Sequence, residues 1–329
     1  MTSRGVAILA AVILLLGVIV TLGLMDEAGE GMPTADKLFP ELQGQLASVS
    51  ALSIRQGGNQ VSLALGENEW LVSERGGYPA DFDRVSELLR SLEDMALAER
   101  KTGKPENHVL LGVDDAEAAR LELNLEANTL AVLVGVESTG RSGQFVRYPG
   151  QNQVWLTDAA LNLDASPAAW LNQQILDIDA ERIKEVMISA GENQIGAVRD
   201  VDQKMKLQGL KSGEMPKYDS VADSLARALS RVAMTDVTAR EGVDIPDAAT
   251  AVYILDNGLT LRTSAWQEGE EHHLAFQVQA PEGADETVLE EYETLRQLER
   301  WVFTVASYTY EDFVPEREDL VTTEENTSA

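Results

Sequence analysis

From Val6 to Met25 the sequence runs for twenty residues without a charge, and thirteen of them are valine, isoleucine or leucine. Nothing else in the chain constrains its folding as strongly. At helical rise such a run spans roughly 30 Å, the depth of a bilayer's hydrocarbon core, and its composition favours insertion by roughly 4–8 kcal/mol. Arg4 precedes the run, while Asp26, Glu27 and Glu30 follow it closely. A cleaved secretory signal has a shorter apolar region ending in a small-residue site. Thr21, Leu22 and Gly23 make a poor one. The run therefore reads as an uncleaved transmembrane anchor. Positive-inside bias leaves the amino terminus in the cytoplasm and exports the rest.

The exported part is strongly acidic. The chain of 329 residues has 55 acids against 26 bases, a net charge of −29. Such a surface repels phosphate backbones, which excludes nucleic acid as a partner. It also repels anionic headgroups, so the exported part should hang from its anchor rather than lie on the bilayer. There is no cysteine. Disulfides, thiolate metal sites and cysteine nucleophiles are thereby excluded, and burial of apolar surface must hold the fold.

Residues 1–25 form the cytoplasmic start and anchor, and the polar residues of 26–47 read as a juxtamembrane linker. Beyond it two stretches resemble each other. Leu52–Val61 and Val186–Ile195 match at Ile54 and Ile188, at Asn59 and Asn193, and at Val61 and Ile195. Each alternates apolar and polar residues around a glycine-containing turn, the pattern of a β-hairpin. In both, a third strand follows (Trp70–Val72, then Met205–Leu207), and after it a proline turn at Pro79 or Pro216. Next comes an amphipathic helix, its apolar stripe formed by Val85, Leu88, Leu89, Leu92 and Met95 in one copy. Val221, Ala222, Leu225, Leu229 and Val232 form it in the other, and further strands follow in both. A further helix in the second copy carries Val288, Tyr292, Leu295, Leu298 and Val302 on one face. The fold class expected is α+β: the anchor, then two tandem repeated units of mostly antiparallel sheet with covering helices. The units occupy residues 48–178 and 179–314, and 315–329 form an acidic tail.

No residue stands out in the sequence as catalytic, cofactor-binding or metal-ligating, and no cofactor is expected. Glu270, Glu271, His272 and His273 resemble a metal cluster, but adjacent strand residues face opposite ways, so a solvated hairpin end is the expectation. His108 follows a proline turn as a surface or half-buried residue. The segment Gly135–Gly143 is glycine-rich, yet it has neither a Walker nor a dinucleotide pattern and reads as a hairpin loop. The pairs Asp177/Asp179 and Asp200/Asp202 lack the other ligands of a calcium loop. Tyr78, Pro79, Ala80 and Asp81 read as a turn into a helix, with Asp81 as its cap. Trp70 and Trp155 read as core anchors, and Trp170 and Trp301 as locks between the units. Arg147 reads as the partner of one of the many acids.

Several segments together carry a resemblance. They are Leu38–Pro40, Trp70–Val72, Tyr78–Asp81, Lys101–Thr102, Leu111–Val113, Phe145–Arg147, Trp155–Leu156, Trp170–Leu171 and Ile175–Ile178. They resemble a bacterial domain-of-unknown-function family of membrane-anchored exported proteins. Its members are typically encoded beside an ABC transporter ATPase, its permease and an auxiliary membrane protein resembling a gliding-motility component. The resemblance implies a non-enzymatic periplasmic accessory protein, held in the inner membrane by Val6–Met25. Its partner would be the permease or the auxiliary subunit, met through a surface the sequence does not locate. An envelope polysaccharide- or peptide-binding module is the alternative, which exposed tryptophan or tyrosine in a groove would favour. A carboxylate-based hydrolase would need two acids of raised pKa about 5–10 Å apart.

Overall fold

The computed structural model describes residues 36–246 and 248–323. The anchor expected at Val6–Met25 lies outside the described residues. Among those described, no helix is long and apolar enough to cross a membrane. The single-pass, inner-membrane and periplasmic placement is accordingly corrected, since no described element carries it.

Contacts divide the chain into two compact units. One comprises residues up to Leu46, Arg90–Ala118 and Val132–Leu161. The other comprises Ala47–Leu89, Ala119–Ala131 and the described residues from Asn162 onward. These units cut across the boundaries suggested by the matching hairpins.

Strands come early and often: β1 (Val49–Gln56), β2 (Asn59–Leu65), β3 (Trp70–Val72), β4 (Tyr78–Pro79), β5 (Leu97–Arg100), β6 (Ala119–Leu125), β7 (Thr129–Glu137), β8 (Gln144–Arg147) and β9 (Val154–Thr157). In the larger unit β1 lies between β2 and β6, and β3 and β4 follow on from β2. Alternation explains the register. Leu52 and Ile54 pair with Leu63 and Val61 on one side and with Leu123 and Leu121 on the other. All six are buried, so each rung seals the next on one face. The β1–β2 turn needs positive φ, and Gly57 (φ 56°) and Gly58 (φ 88°) supply it. In the smaller unit β8 pairs with β7 and β9, and β9 pairs with β5.

The chain continues with β10 (Gln174–Leu176), β11 (Ile183–Ala190), β12 (Asn193–Arg199), β13 (Met205–Gln208), β14 (Glu214–Pro216), β15 (Val232–Ala233), β16 (Asp236–Ala239), β17 (Ala249–Leu255), β18 (Thr260–Glu268), β19 (Glu271–Gln279), β20 (Trp301–Val305) and β21 (Val321–Thr323). Eight of these form one antiparallel sheet, in the order β13-β12-β11-β17-β18-β19-β20-β16. Ile188 faces Ile195 across the β11–β12 hairpin, whose turn Gly191 closes at φ 57°. The other four pair off, β10 with β15 and β14 with β21.

The fold class is corrected in its helical half, because among the described residues the chain is mostly antiparallel sheet and covering helices do not recur. The helix Phe82–Asp94 does bury Val85, Leu88, Leu89 and Leu92. Its expected counterpart lasts only from Val221 to Arg227. Arg231 then takes φ 53°, the chain turns, and Val232 enters β15 instead of a helical stripe. The helix Glu286–Leu295 has no buried residue at all, and Val302 lies in β20. Helical spacing promised one apolar face, but strand partners claimed its last residues. At the ends of the described chain, Leu38, Phe39, Leu42 and Leu320 are all buried.

Candidate docking surface

In the smaller unit, the connection after β5 makes two 3₁₀ turns, Pro105–Asn107 and Val109–Leu111. Buried polar groups hold them in place. Thr102 Oγ1 accepts from the Lys104 amide and from Asn107 Nδ2, both at 3.1 Å. The His108 carbonyl accepts from the amides of Leu111 and Val113. Its ring is buried with Nε2 2.9 Å from the Asn152 carbonyl oxygen, a geometry that calls for a proton on Nε2. Arg147 is only 3% exposed. It donates from Nε to the Val113 carbonyl (2.8 Å) and from Nη1 to the Gln151 carbonyl (2.9 Å). Its Nη2 lies 3.0 Å from Asp115 Oδ2, an ionic contact without hydrogen-bond alignment.

Beneath the second turn lies Gly135 of β7. A Cβ there would collide with the Leu111 carbonyl oxygen. Gly112, at φ 64°, brings the chain so near that its own Cβ would stand 3.2 Å from Val136 Cγ1. The turn is thus pressed onto β7, and this leaves its apolar side chains outside. Val109 is 71% exposed, Leu110 76% and the adjoining Val136 51%. Single exposed aliphatics are ordinary, but a group of them marks a contact surface. Beside them is a depression of about 380 Å³ lined by Lys101, Thr102, Asn107, Leu110, Leu111 and Phe145. At its edge Lys101 Nζ lies 2.8 Å from Glu99 Oε2, and Arg141 Nη1 lies 3.3 Å from the same oxygen. The Lys101 hydrogen bond, then the charges of Lys101 and Arg141, hold the Glu99 carboxyl below its ordinary range.

The other residues weighed in the sequence make the following contacts. His108 is buried, not at the surface, because its ring serves the turn. His272 and His273 point to opposite sides of β19, but they are no solvated end. The His272 ring lies 4.8 Å from that of Tyr310, and the His273 ring 5.3 Å from that of Trp266. Among the described residues no group of acids and histidines is arranged to hold a metal. The Gly135–Gly143 segment joins β7 to β8 as a hairpin. Asp177 Oδ1 accepts from the Arg231 amide. Asp200 Oδ1 accepts from the amides of Asp202 and Lys204, and its other oxygen pairs with Lys206, which pulls its pKa down. Asp81 Oδ1 takes the Arg84 amide at the start of its helix, as a cap should.

Trp70, Trp170 and Trp301 are buried, whereas Trp155 is only half-buried. Trp301 meets Tyr78 edge to face at 5.1 Å, and burial pushes the Tyr78 hydroxyl up to about 12. Trp170 sits under the Arg84 guanidinium and donates from Nε1 to the Asp164 carbonyl. Asp312 is pushed up, first by burial and then by Glu311, while Glu99, Asp200 and Glu214 are all pushed down.

Lys101, Thr102, Leu111, Gly112, Val113, Phe145 and Arg147, scattered in the sequence, converge on the one turn. Sequence reasoning did not single out Val109, Leu110 or Val136. The signal was there: three consecutive apolar residues between a proline turn and a glycine cannot all face inward. A family described as a domain of unknown function (DUF4340) matches residues 70–258, a span that includes the whole turn and its support. No curated protein and no solved structure matches the chain. With more than half of its length matched, the chain belongs to the DUF4340 family.

Proposed function

We propose that this protein works by contact rather than by chemistry, as an accessory subunit of an ABC-type transport system, and meets its partner through the Val109–Leu111 turn. The observation that carries this reading is a trio of exposed aliphatic residues: Val109 and Leu110, on a turn locked by His108 and Arg147, and Val136, on the strand against which that turn packs. A rigid apolar projection loses little conformational freedom when a partner covers it. The transport system itself comes from the family resemblance. Envelope glycan binding draws less support: Trp70, Trp170, Trp266 and Trp301 are buried and Trp155 is half-buried, although Tyr218 and Tyr308 are exposed. A two-carboxylate hydrolase lacks support too, since Asp312 is pushed up without a second acid beside it shown to shift the same way.

Co-expression with a permease and auxiliary subunit of the kind that the family resemblance implies tests the proposal. Affinity purification of the tagged protein should retain one of them. Leu110→Asp should reduce that retention at least about tenfold, since covering a leucine is worth roughly 1.5–3 kcal/mol. It should leave the melting temperature unchanged, because Leu110 is 76% exposed. Retention of neither subunit, or undiminished retention by the folded variant, refutes the reading.

A further inference from the structure

A second recognition surface lies in the larger unit and is independent of the Val109–Leu111 turn. We infer that β14 and the acceptors around it form a docking groove for an extended protein segment that carries an arginine three residues before a leucine. The chain's own residues 314–323 occupy this groove as a displaceable strap.

The strap begins where firm packing ends. Phe313 is fully buried, its ring 6.1 Å from that of Tyr253 and 6.2 Å from that of Phe276. Beyond it, from Val314 to Thr323, only Leu320 is buried. Three rungs join β21 to β14: Glu214 with Thr323, Met215 with Thr322 and Pro216 with Val321. Two hollows open along the strap, one of about 370 Å³ against Ile188 and Ile195, the other of about 900 Å³ against Glu214 and Lys217. A segment with few apolar contacts and solvent-facing hydrogen bonds opens locally before the fold does.

The strap makes the contacts of a bound peptide. Strand addition supplies main-chain bonds, and side-chain pockets supply the selection. Arg317 fills a pocket made of acceptors, namely both oxygens of Glu214 and the carbonyls of Gly209 (2.8 Å) and Gln194 (3.3 Å). The Arg317 side chain is 14% exposed there, and that of Glu214 12%. Acceptors spread around a planar fork suit a guanidinium better than an ammonium. Leu320 is the apolar anchor, and its carbonyl accepts from the Lys217 amide at 3.0 Å. Two copies of a chain at −29 repel each other, so an unrelated segment is a better occupant than a second copy's strap.

Fluorescence anisotropy tests this with the full-length protein and a labelled peptide of the strap sequence, residues 314–323. Arg317→Ala loosens the resident strap. That protein should bind the peptide at least about tenfold more tightly than the parent, whose tethered strap competes. Peptides with lysine or alanine for the arginine, or aspartate for the leucine, should bind at least about tenfold more weakly. In the parent, the Lys217 amide should exchange its hydrogen at least about tenfold faster than amides of the β11–β17 ladder. Failure of the folded Arg317→Ala protein to bind the peptide overturns the groove. Equal binding of all the peptides overturns the selection for arginine and leucine. Slow exchange at Lys217, or loss of the whole fold in Arg317→Ala, overturns the displaceable strap. A concentration-dependent dimer of Arg317→Ala without peptide overturns the partner in favour of a second copy.

Discussion

At the scale of single residues, glycines without side chains set the surface. Gly135 permits the Leu111 carbonyl to rest where a methyl group would otherwise stand. Gly135→Ala should destabilise the fold by about 1–3 kcal/mol, because backbone rather than a flexible side chain must give way. Gly140, in the loop of the same hairpin, has nothing within 4 Å of its would-be Cβ. Gly140→Ala should fall within about 0.5 kcal/mol of the parent. Urea denaturation of both variants checks the pair, and equal midpoints would show that the turn is not pressed onto β7. Such roles were invisible beforehand, since a glycine-rich segment looks alike whether its glycines turn the chain or admit a neighbour. His108 was misjudged for the same reason: the carbonyl of Asn152 that draws its ring inside lies 44 positions away.

Among the elements, an ion pair braces the pairing of β14 with β21. Arg317 grips Glu214 with two hydrogen bonds, at 2.9 Å and 2.5 Å, and also donates to the Gly209 carbonyl at 2.8 Å. The Arg317 hydrogen bond, ahead of the Lys211 amide, lowers the Glu214 carboxyl to about 2. A carboxyl depressed on folding adds stability that is complete above its unfolded value and fades as pH falls through the folded one. Glu214→Gln should therefore melt below the parent at pH 6, and the difference should close between about pH 4.5 and pH 2. Melting curves at several pH values check this, and a difference independent of pH would contradict it. The hairpins β1–β2 and β11–β12 were legible because alternation and a glycine turn are local signals. The short helix Val221–Arg227 was not, because β10 captures Val232, and β10 lies more than fifty residues earlier.

For the whole molecule, 55 acids against 26 bases make the folded state repel itself. Salt screens this repulsion, and expanding the chain relieves it, so added salt should favour the folded form. The melting temperature should rise as sodium chloride goes from about 0.02 M to about 0.3 M. Scanning calorimetry checks it, and a flat profile would mean that local ion pairs already balance the charge.

The sequence by itself determined what depends on neighbours along the chain: the acidic surface, the absence of thiol chemistry, the alternating strands and the glycine turns. Tertiary structure alone decided how strands from distant segments pair, where helical stripes stop, and which aliphatic residues stay in water. The reason is that burial is not a local property. Val109, Leu110 and Leu111 look like core in the sequence. Only the approach of β7, with Gly135 beneath the turn and Arg147 bonded to its far end, turns two of them outward.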